Sequence, residues 1–359
     1  MKKQKQNKGD IMKKTKQETV LETKQSSKLG FIETEQGIKL VKDAFEKALA
    51  EELSLLRVTA PRFLVQGTGL QDDLAGTQVP VSFKIKDEPR TIEFVHSLAK
   101  WKRFILGKHH FPIGRGLYTD MDAVRKDEKL SEIHSAYVDQ WDWELVISKE
   151  QRSLDFLKSI VEKIFGAMKK TEATILKELP VLRKRLPDKI TFVHAEDLER
   201  MLPESTDKER EDFITKKHGA VFLIGIGHPL VSGKPHDLRA ADYDDWSTET
   251  KLGYHGLDGD ILVWDDLRQK TLELSSMGIR VDKKALELQL KMHGLDHLKK
   301  LDFHKSILDE TIPLTIGGGI GQSRLCMFFL EKRHIGEVQS SVWPESMEKE
   351  AEEKGIYLL

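Results

Sequence analysis

Four glycines fall within the five positions 317–321 of the stretch TIGGGIGQSRL, and Arg324 follows them. No other stretch restricts the chain so tightly. Glycine lets backbone approach a neighbour closely, and a glycine-rich turn that opens a helix is a common phosphate cradle. Two familiar cradles fail on residues. A Walker A loop needs a lysine after its last glycine, and none follows Gly321. A dinucleotide fingerprint ends in a third glycine that lets helix and strand pack. Gly319 and Gly321 fit that spacing, but Arg324 stands in the final place. What remains is a strand through LTIG, a glycine-rich bend, and a helix over QSRLCMFFLE with Arg324 in its first turns. A planar guanidinium there can stack on a base or pair with a phosphate.

The 359 residues suit one large-sheet enzyme domain. With 39% hydrophobic and 33% charged residues, a sizeable core and a polar exterior are both available. No apolar run approaches the roughly 20 residues that span a bilayer. The N-terminal lysines precede no apolar segment of a secretory signal. The single cysteine, Cys326, excludes an internal disulfide and a cysteine-based zinc site, and points to a reducing cytoplasm. Its setting, RLCMFFL, predicts a buried core thiol, not a nucleophile. Charge is uneven: residues 1–28 hold nine lysines against three acids, a net of +6, so the rest carries −7. This head reads as a disordered, solvated extension. A nucleic-acid-binding arm is the sharper alternative, but the acidic remainder argues against broad phosphate-backbone binding.

Periodicity marks the elements. Over residues 36–57, Val41, Ala44, Phe45, Ala48 and Leu56 recur at helical spacing, in a fold expected to begin near Phe31. A second helix is predicted over 151–179, with Leu154, Leu157, Ile160, Val161, Ile164, Phe165 and Met168 on one side. Strand-like runs are VPVSFKI, TIEFVHS, IHSAYVDQWDWELVI, KITFVHA, AVFLIGIG, GDILVW and TLELSSMGIRV. Several alternate apolar and polar residues, as antiparallel strands with helices on one face do. Regular strand–helix–strand alternation is missing, so a doubly wound parallel sheet is not expected. The fold class is α+β: one large, mostly antiparallel sheet flanked by helices in a single domain, 29–359. MLPESTDKEREDF reads as a surface loop entering a helix.

The strand–glycine–helix unit ending in Arg324 resembles motif 3 of class II aminoacyl-tRNA synthetases, whose arginine packs over adenine and reaches the γ-phosphate. ELSSMGIRV resembles the acidic strand before it, where a glutamate and an upstream aspartate hold Mg²⁺ on the ATP phosphates; Glu273 and, in DGDILVWDD, Asp260 match them. Mg²⁺ suits two hard carboxylates and phosphate oxygens. A closer resemblance follows. VHSLAKWKR, GLYTDMDAVR, HSAYVDQWDWE, RAADYDDW and TIGGGIGQSR are together similar to the aspartate–ammonia ligase family, the ammonia-dependent asparagine synthetases, from about Gly30 to the end. That family has the class II catalytic fold without an anticodon-binding domain and forms homodimers. Ala241, where a proline is expected, and the basic head are the departures noted.

The resemblance implies two steps: the aspartate side chain attacks the α-phosphorus of ATP, giving β-aspartyl-AMP and pyrophosphate; ammonia then releases asparagine and AMP. Two anions meet in the first step, so fixed positive charge matters more than proton transfer. The resemblance places Arg125 between the attacking carboxylate and the α-phosphate, and Arg239, Glu273, Arg324, Gly319 and Gly321 on ATP. Asp260 and Glu273 would hold Mg²⁺. Ser97, Lys102, Gln140, Asp142, Asp244 and Ser276 would bind aspartate, Asp244 at its ammonium. Lys100 and Arg103 read as a solvated face, and Asp242 and Asp245 as loop acids. In VDQWDWE, alternation puts Gln140 and Asp142 on one strand face, Trp141 and Trp143 on the other. Asp72, in GTGLQDDLAG, matches the family's catalytic aspartate and would bind ammonium and help deprotonate it. Arg125, Gln140 and Asp72 form the expected catalytic set. A glutamine-hydrolysing asparagine synthetase would need an N-terminal cysteine, but residue 2 is Lys2, so free ammonia is the expected nitrogen source. No nucleic acid and no membrane are expected as partners. A tRNA-charging enzyme would need an anticodon-binding module, and the only spare segment is the short polar head. A regulatory module that has lost catalysis would show erosion at Arg125, Asp260, Glu273 and Arg324, all present.

Overall fold

The computed structural model describes residues 27–72, 74, 76, 78–251 and 253–359. The basic head up to residue 26 lies outside the described residues. Ser27 and Lys28, assigned to it on composition, contact Lys332 and Glu331.

Helix α1 (Phe31–Leu53) buries Val41, Phe45 and Leu49 at four-residue spacing. It starts five residues before the expected segment and stops short of Leu56. Ser54 adopts a left-handed conformation and its N–H closes the last turn on Ala50. Leu56 falls instead in strand β1 (Leu55–Arg57) and is exposed. A small antiparallel sheet follows: β2 (Phe63–Val65), β3 (Ser82–Ile85) and β4 (Glu88–Phe94) in the order β2-β4-β3. Next come α2 (Ala99–Lys108), β5 (Gly116–Val124) and β6 (Tyr137–Val146). Helix α3 (Leu154–Glu178) is capped by Ser153, whose hydroxyl accepts from the Phe156 N–H. After β7 (Thr191–His194) and α4 (Ala195–Met201), the expected loop ends in a Thr206/Glu209 capping box that opens α5 (Asp207–His218). β8 (Ala220–Ile224), a β9 (Glu249–Lys251) and β10 (Tyr254–His255) pair, β11 (Asp258–Asp265) and β12 (Lys270–Ile279) precede α6 (Lys283–Met292) and α7 (Asp302–Leu308). β13 (Thr315–Gly321), α8 (Gln322–Phe329) and α9 (Glu345–Glu353) finish the chain.

Eight strands form the main sheet in the order β1-β5-β6-β13-β12-β11-β8-β7. The outermost pairs, β1/β5 and β7/β8, are parallel, and every pair between them is antiparallel. One face is apolar. Trp141 and Trp143 on β6, Leu272 and Leu274 on β12, and Ile316 and Ile320 on β13 pack there with Phe45 of α1, Phe165 of α3 and Phe329 of α8. The opposite face carries Gln140, Asp142 and Glu144 on β6 and Asp258 and Asp260 on β11, and it too is largely buried.

The glycine run departs from expectation. It is no bend: all four glycines lie inside β13, the first three in register between β6 and β12 and Gly321 paired with β6. None of them needs a positive φ. Space is what requires Gly317, Gly318 and Gly319. A Cβ at Gly317 would overlap the Glu144 carboxylate and Arg280, and one at Gly319 would overlap the Gln140 amide. The helix follows at once, with the Ser323 N–H held by Asp139 Oδ1 at 3.0 Å.

Candidate active site

A cavity of about 430 Å³ opens on the polar face and is lined from β6, β12, β13, the start of α8 and the segments around residues 72, 97, 125 and 237–244. Every expected site residue lines it except Lys102 and Asp260. Sequence positions as distant as Asp72 and Arg324 thus share one space.

At one end, Arg324 Nη1 donates to the Glu273 carbonyl (3.1 Å) and lies 3.4 Å from its carboxylate. Burial works against the Glu273 charge, but Arg324 and Arg239 outweigh it and hold its carboxyl below the usual range. Asp260 sits behind this wall, its Oδ1 accepting from Arg239 Nη2 at 2.5 Å. Burial raises its carboxyl to about 7; Arg239 opposes the rise and the Glu273 charge adds to it. Two hard carboxylates, Asp260 and Glu273, stand close enough that the charge of Glu273 raises Asp260, a donor set that fits Mg²⁺ shared with a phosphate. Among the described residues no group of three or more His, Cys, Asp or Glu forms a cation cage.

At the centre, Gln140 pairs with Gly321 across the β6/β13 register, and its side-chain amide lies over Gly319. Ser276 lines the same stretch, and its backbone pairs with Gly319. Arg125 donates through Nη2 to the His96 carbonyl (3.2 Å), while its buried Nε has no partner among the described residues. A buried guanidinium N–H left unpaired is costly, and an anionic ligand would satisfy it.

At the other end, Asp244 accepts from Arg280 Nη1. Burial raises its carboxyl despite the Arg280 charge. Asp72 is buried at the cavity edge, its Oδ1 accepting from the Leu74 N–H at 2.9 Å. Ser97 lies just before α2, where its hydroxyl accepts from the Ala99 N–H at 3.1 Å.

Lys102 corrects the sequence reading. Its side chain runs beneath the floor with no exposure, and its three N–H bonds go to Asp142 Oδ1, the Trp143 carbonyl (2.8 Å) and the Gly318 carbonyl (3.1 Å). An ammonium has three donors, so none remains for a substrate. Asp142 lines the cavity, but both its oxygens are engaged, the second by the Leu98 N–H. The neighbouring charges are also not a solvated face. Lys100 pairs with Asp242 at 2.7 Å, and Arg103 donates to the Val281 and Pro313 carbonyls. Asp242 and Asp245, taken as loop acids, are buried partners of Lys100 with His304, and of Arg152. A run of charge is buried when opposite charge from far along the chain meets it.

Sequence reasoning gave no role to Arg280, Glu144 or Tyr243. Arg280 donates from Nε and Nη2 to Glu144 at 3.0 and 2.8 Å, and Thr315 Oγ1 adds a 2.6 Å bond to the same carboxylate. Burial opposes both charges, yet each stabilises the other: Glu144 is held below and Arg280 above its ordinary value. Tyr243 lines the cavity with the Arg280 guanidinium 5.7 Å from its ring centre. The available signal was a charge inside an apolar strand, as in MGIRV, which has to find a buried partner.

A family model described as aspartate-ammonia ligase matches residues 32–355. The chain is 54% identical over 332 residues to an aspartate–ammonia ligase of Parabacteroides distasonis, covering 92% of this chain and 96% of the relative. With a Clostridium tetani protein of the same name it shares 51% over 347 residues, 96% of this chain and 99% of that one. Among solved structures, asparaginyl-tRNA synthetase from Pyrococcus horikoshii complexed with asparaginyl-adenylate superposes with a TM-score of 0.64 at 16% identity, covering 87% of this chain and 70% of that one. An Entamoeba histolytica asparaginyl-tRNA synthetase gives 0.61 at 15% identity, over 86% and 66% of the two chains. Such identity shows the fold alone, the catalytic architecture of class II synthetases. With sequence, fold and site converging, the chain belongs to the aspartate–ammonia ligase family.

Proposed function

We propose that this protein makes L-asparagine from L-aspartate, ATP and ammonia through β-aspartyl-AMP. The observation that carries the reading is the single cavity in which Asp72, Arg125, Gln140, Asp244, Glu273 and Arg324 converge. In the first step an oxygen of the side-chain carboxylate attacks the α-phosphorus, and the bond to pyrophosphate breaks. Arg125 bridges the two anions, its unpaired Nε supporting that role, while Arg324 and Arg239 hold the nucleotide. Ser97, Gln140, Asp142, Asp244 and Ser276 line the aspartate side, with Asp244 at the ammonium. Gly319 and Gly321 keep the floor low enough for ATP. Asp260 and Glu273 would hold Mg²⁺, which when bound neutralises charge on the phosphates.

In the second step ammonia attacks the acyl carbon, AMP departs, and a proton is lost from nitrogen. Asp72 binds the incoming ammonium and takes up its proton. Cys326 is buried and its thiol pushed up to about 12 by burial, so it supplies no nucleophile for hydrolysing glutamine. The reading includes a homodimer working in the cytoplasm. None of the helices among the described residues is long and apolar enough to cross a membrane. Incubation with ATP, Mg²⁺, aspartate and ammonium chloride tests the whole: AMP, pyrophosphate and asparagine are expected in equal amounts. ADP in place of AMP, or full activity with ammonium-free glutamine, refutes it.

A further inference from the structure

His96 lies between the two residues assigned to the two half-reactions. Its Nδ1 is 3.2 Å from the Asp72 carbonyl. A carbonyl can only accept, so Nδ1 carries the proton. The His96 backbone N–H donates to Gln71 Oε1 at 3.0 Å, and Gln71 Nε2 donates to the Phe94 carbonyl at 2.7 Å. The segment holding Asp72 is therefore tied to the end of β4 on both sides of the histidine. The His96 carbonyl accepts from Arg125 Nη2. The ring is completely buried, and its Nε2 has no partner among the described residues. One residue thus braces Asp72 with its side chain and Arg125 with its backbone. The Asp72 carboxylate is aimed by the Leu74 N–H, so its direction follows the backbone that the ring holds.

We propose that His96 is a positioning residue for the ammonia half-reaction: its Nδ1–H fixes the Asp72 backbone so that the carboxylate meets the incoming ammonium. This rests on the reading that Asp72 serves ammonia and Arg125 serves adenylation. Because Arg125 leans on a backbone carbonyl, side-chain substitution at His96 separates the two steps. The amide nitrogen of an asparagine at 96 occupies the place of Nδ1, whereas that of a glutamine lies beyond it.

The test measures aspartate-dependent ATP–pyrophosphate exchange and asparagine formation across ammonium concentrations for wild type, His96→Ala, His96→Asn and His96→Gln. Loss of the bond from His96 Nδ1 to the Asp72 carbonyl should raise the ammonium KM about tenfold in His96→Ala. Exchange should stay within about threefold of wild type, and His96→Asn should return the ammonium KM toward wild type. A parallel fall in exchange and asparagine formation overturns the proposal, as does an unchanged ammonium KM or an Asn variant no better than Ala. If His96→Ala does not fold, the comparison of Asn with Gln decides: a raised ammonium KM in Gln alone supports the proposal, and equal values overturn it. A wild-type protein that exchanges pyrophosphate but makes no asparagine would instead overturn the parent reading.

Discussion

Replacing Lys102 with methionine keeps the length of the side chain and removes its charge. The wild-type ammonium is completely buried, bonded to Asp142 and two carbonyls, with Glu144 at 3.7 Å. Burial holds its pKa below the usual lysine value, with the Asp142 and Glu144 charges opposing that shift. Removing one partner of a buried ion pair costs about 3–5 kcal/mol, because the other charge stays behind uncompensated. Here the Leu98 N–H still serves Asp142, and Arg280 still serves Glu144. The loss should therefore fall near the lower end, about 3 kcal/mol, against under about 1 for a surface pair. Urea unfolding followed by circular dichroism measures it. Lys102→Met with Asp142→Asn should recover at least about 1 kcal/mol of the summed single losses, the coupling expected of contacting charges. A Lys102→Met protein within about 1 kcal/mol of wild type, but with an aspartate KM raised tenfold, would refute the reasoning and make Lys102 a substrate ligand.

Four other outcomes are expected. Gly319→Ala should lower kcat/KM for aspartate and ATP at least about tenfold while remaining folded, because its Cβ displaces the partly exposed Gln140 amide; Gly317→Ala, which meets the buried Glu144–Arg280 pair, should lose more stability than Gly319→Ala on the same urea curve. Asp72→Asn should keep aspartate-dependent pyrophosphate exchange and lose asparagine formation, and equal loss of both would remove it from the ammonia step. Arg324→Lys keeps charge but not planarity, so the ATP KM should rise about tenfold with aspartate less affected; unchanged kinetics would leave the glycine run structural only. His194 donates from Nε2 to the His255 carbonyl and accepts the Glu196 N–H at Nδ1, and burial lowers its pKa from 6.5 to about 4. The unfolded chain binds that proton first, so its contribution is complete above about pH 6.5 and is lost as pH falls toward 4. The urea stability of wild type should fall by about 2 kcal/mol more than that of His194→Gln between pH 7 and 4.5.

The sheet was legible because alternation in VDQWDWE carries its own physics. Trp141 and Trp143 must leave water on the same side, and Gln140 and Asp142 follow on the other. Helix α3 was legible within three residues at its start from its one apolar stripe; the Ser153 cap that sets its first residue was not read. β1 was not, because three residues cannot show a period and they continue the apolar spacing of α1. β5 was read for its motif alone; its Thr119, Asp120 and Asp122 interrupt the apolar run that would have marked a strand. The residues lining the cavity were legible through family resemblance more than through any local pattern, because strings such as RAADYDDW have no periodicity to read.

What alternation cannot tell is whether the polar side of a sheet meets water. Outside the cavity it does not here: Lys100, Lys102 and Arg103 meet Asp242, Asp142 and the carbonyls of Val281 and Pro313, groups 40 to 210 residues away along the chain. Nothing short of the assembled fold brings such partners together, so a charge run and a buried ion network look alike in sequence. The same pairing explains why the run in β13 is glycine. Glu144, Arg280, Gln140 and Lys102 fill the layer directly against that strand, and a methyl group at Gly317 or Gly319 would have to push a charged or amide group out of its bonds. Glycine in TIGGGIGQSRL therefore makes room first for the protein's own polar floor, and the low floor that results gives Arg324 an open space to face.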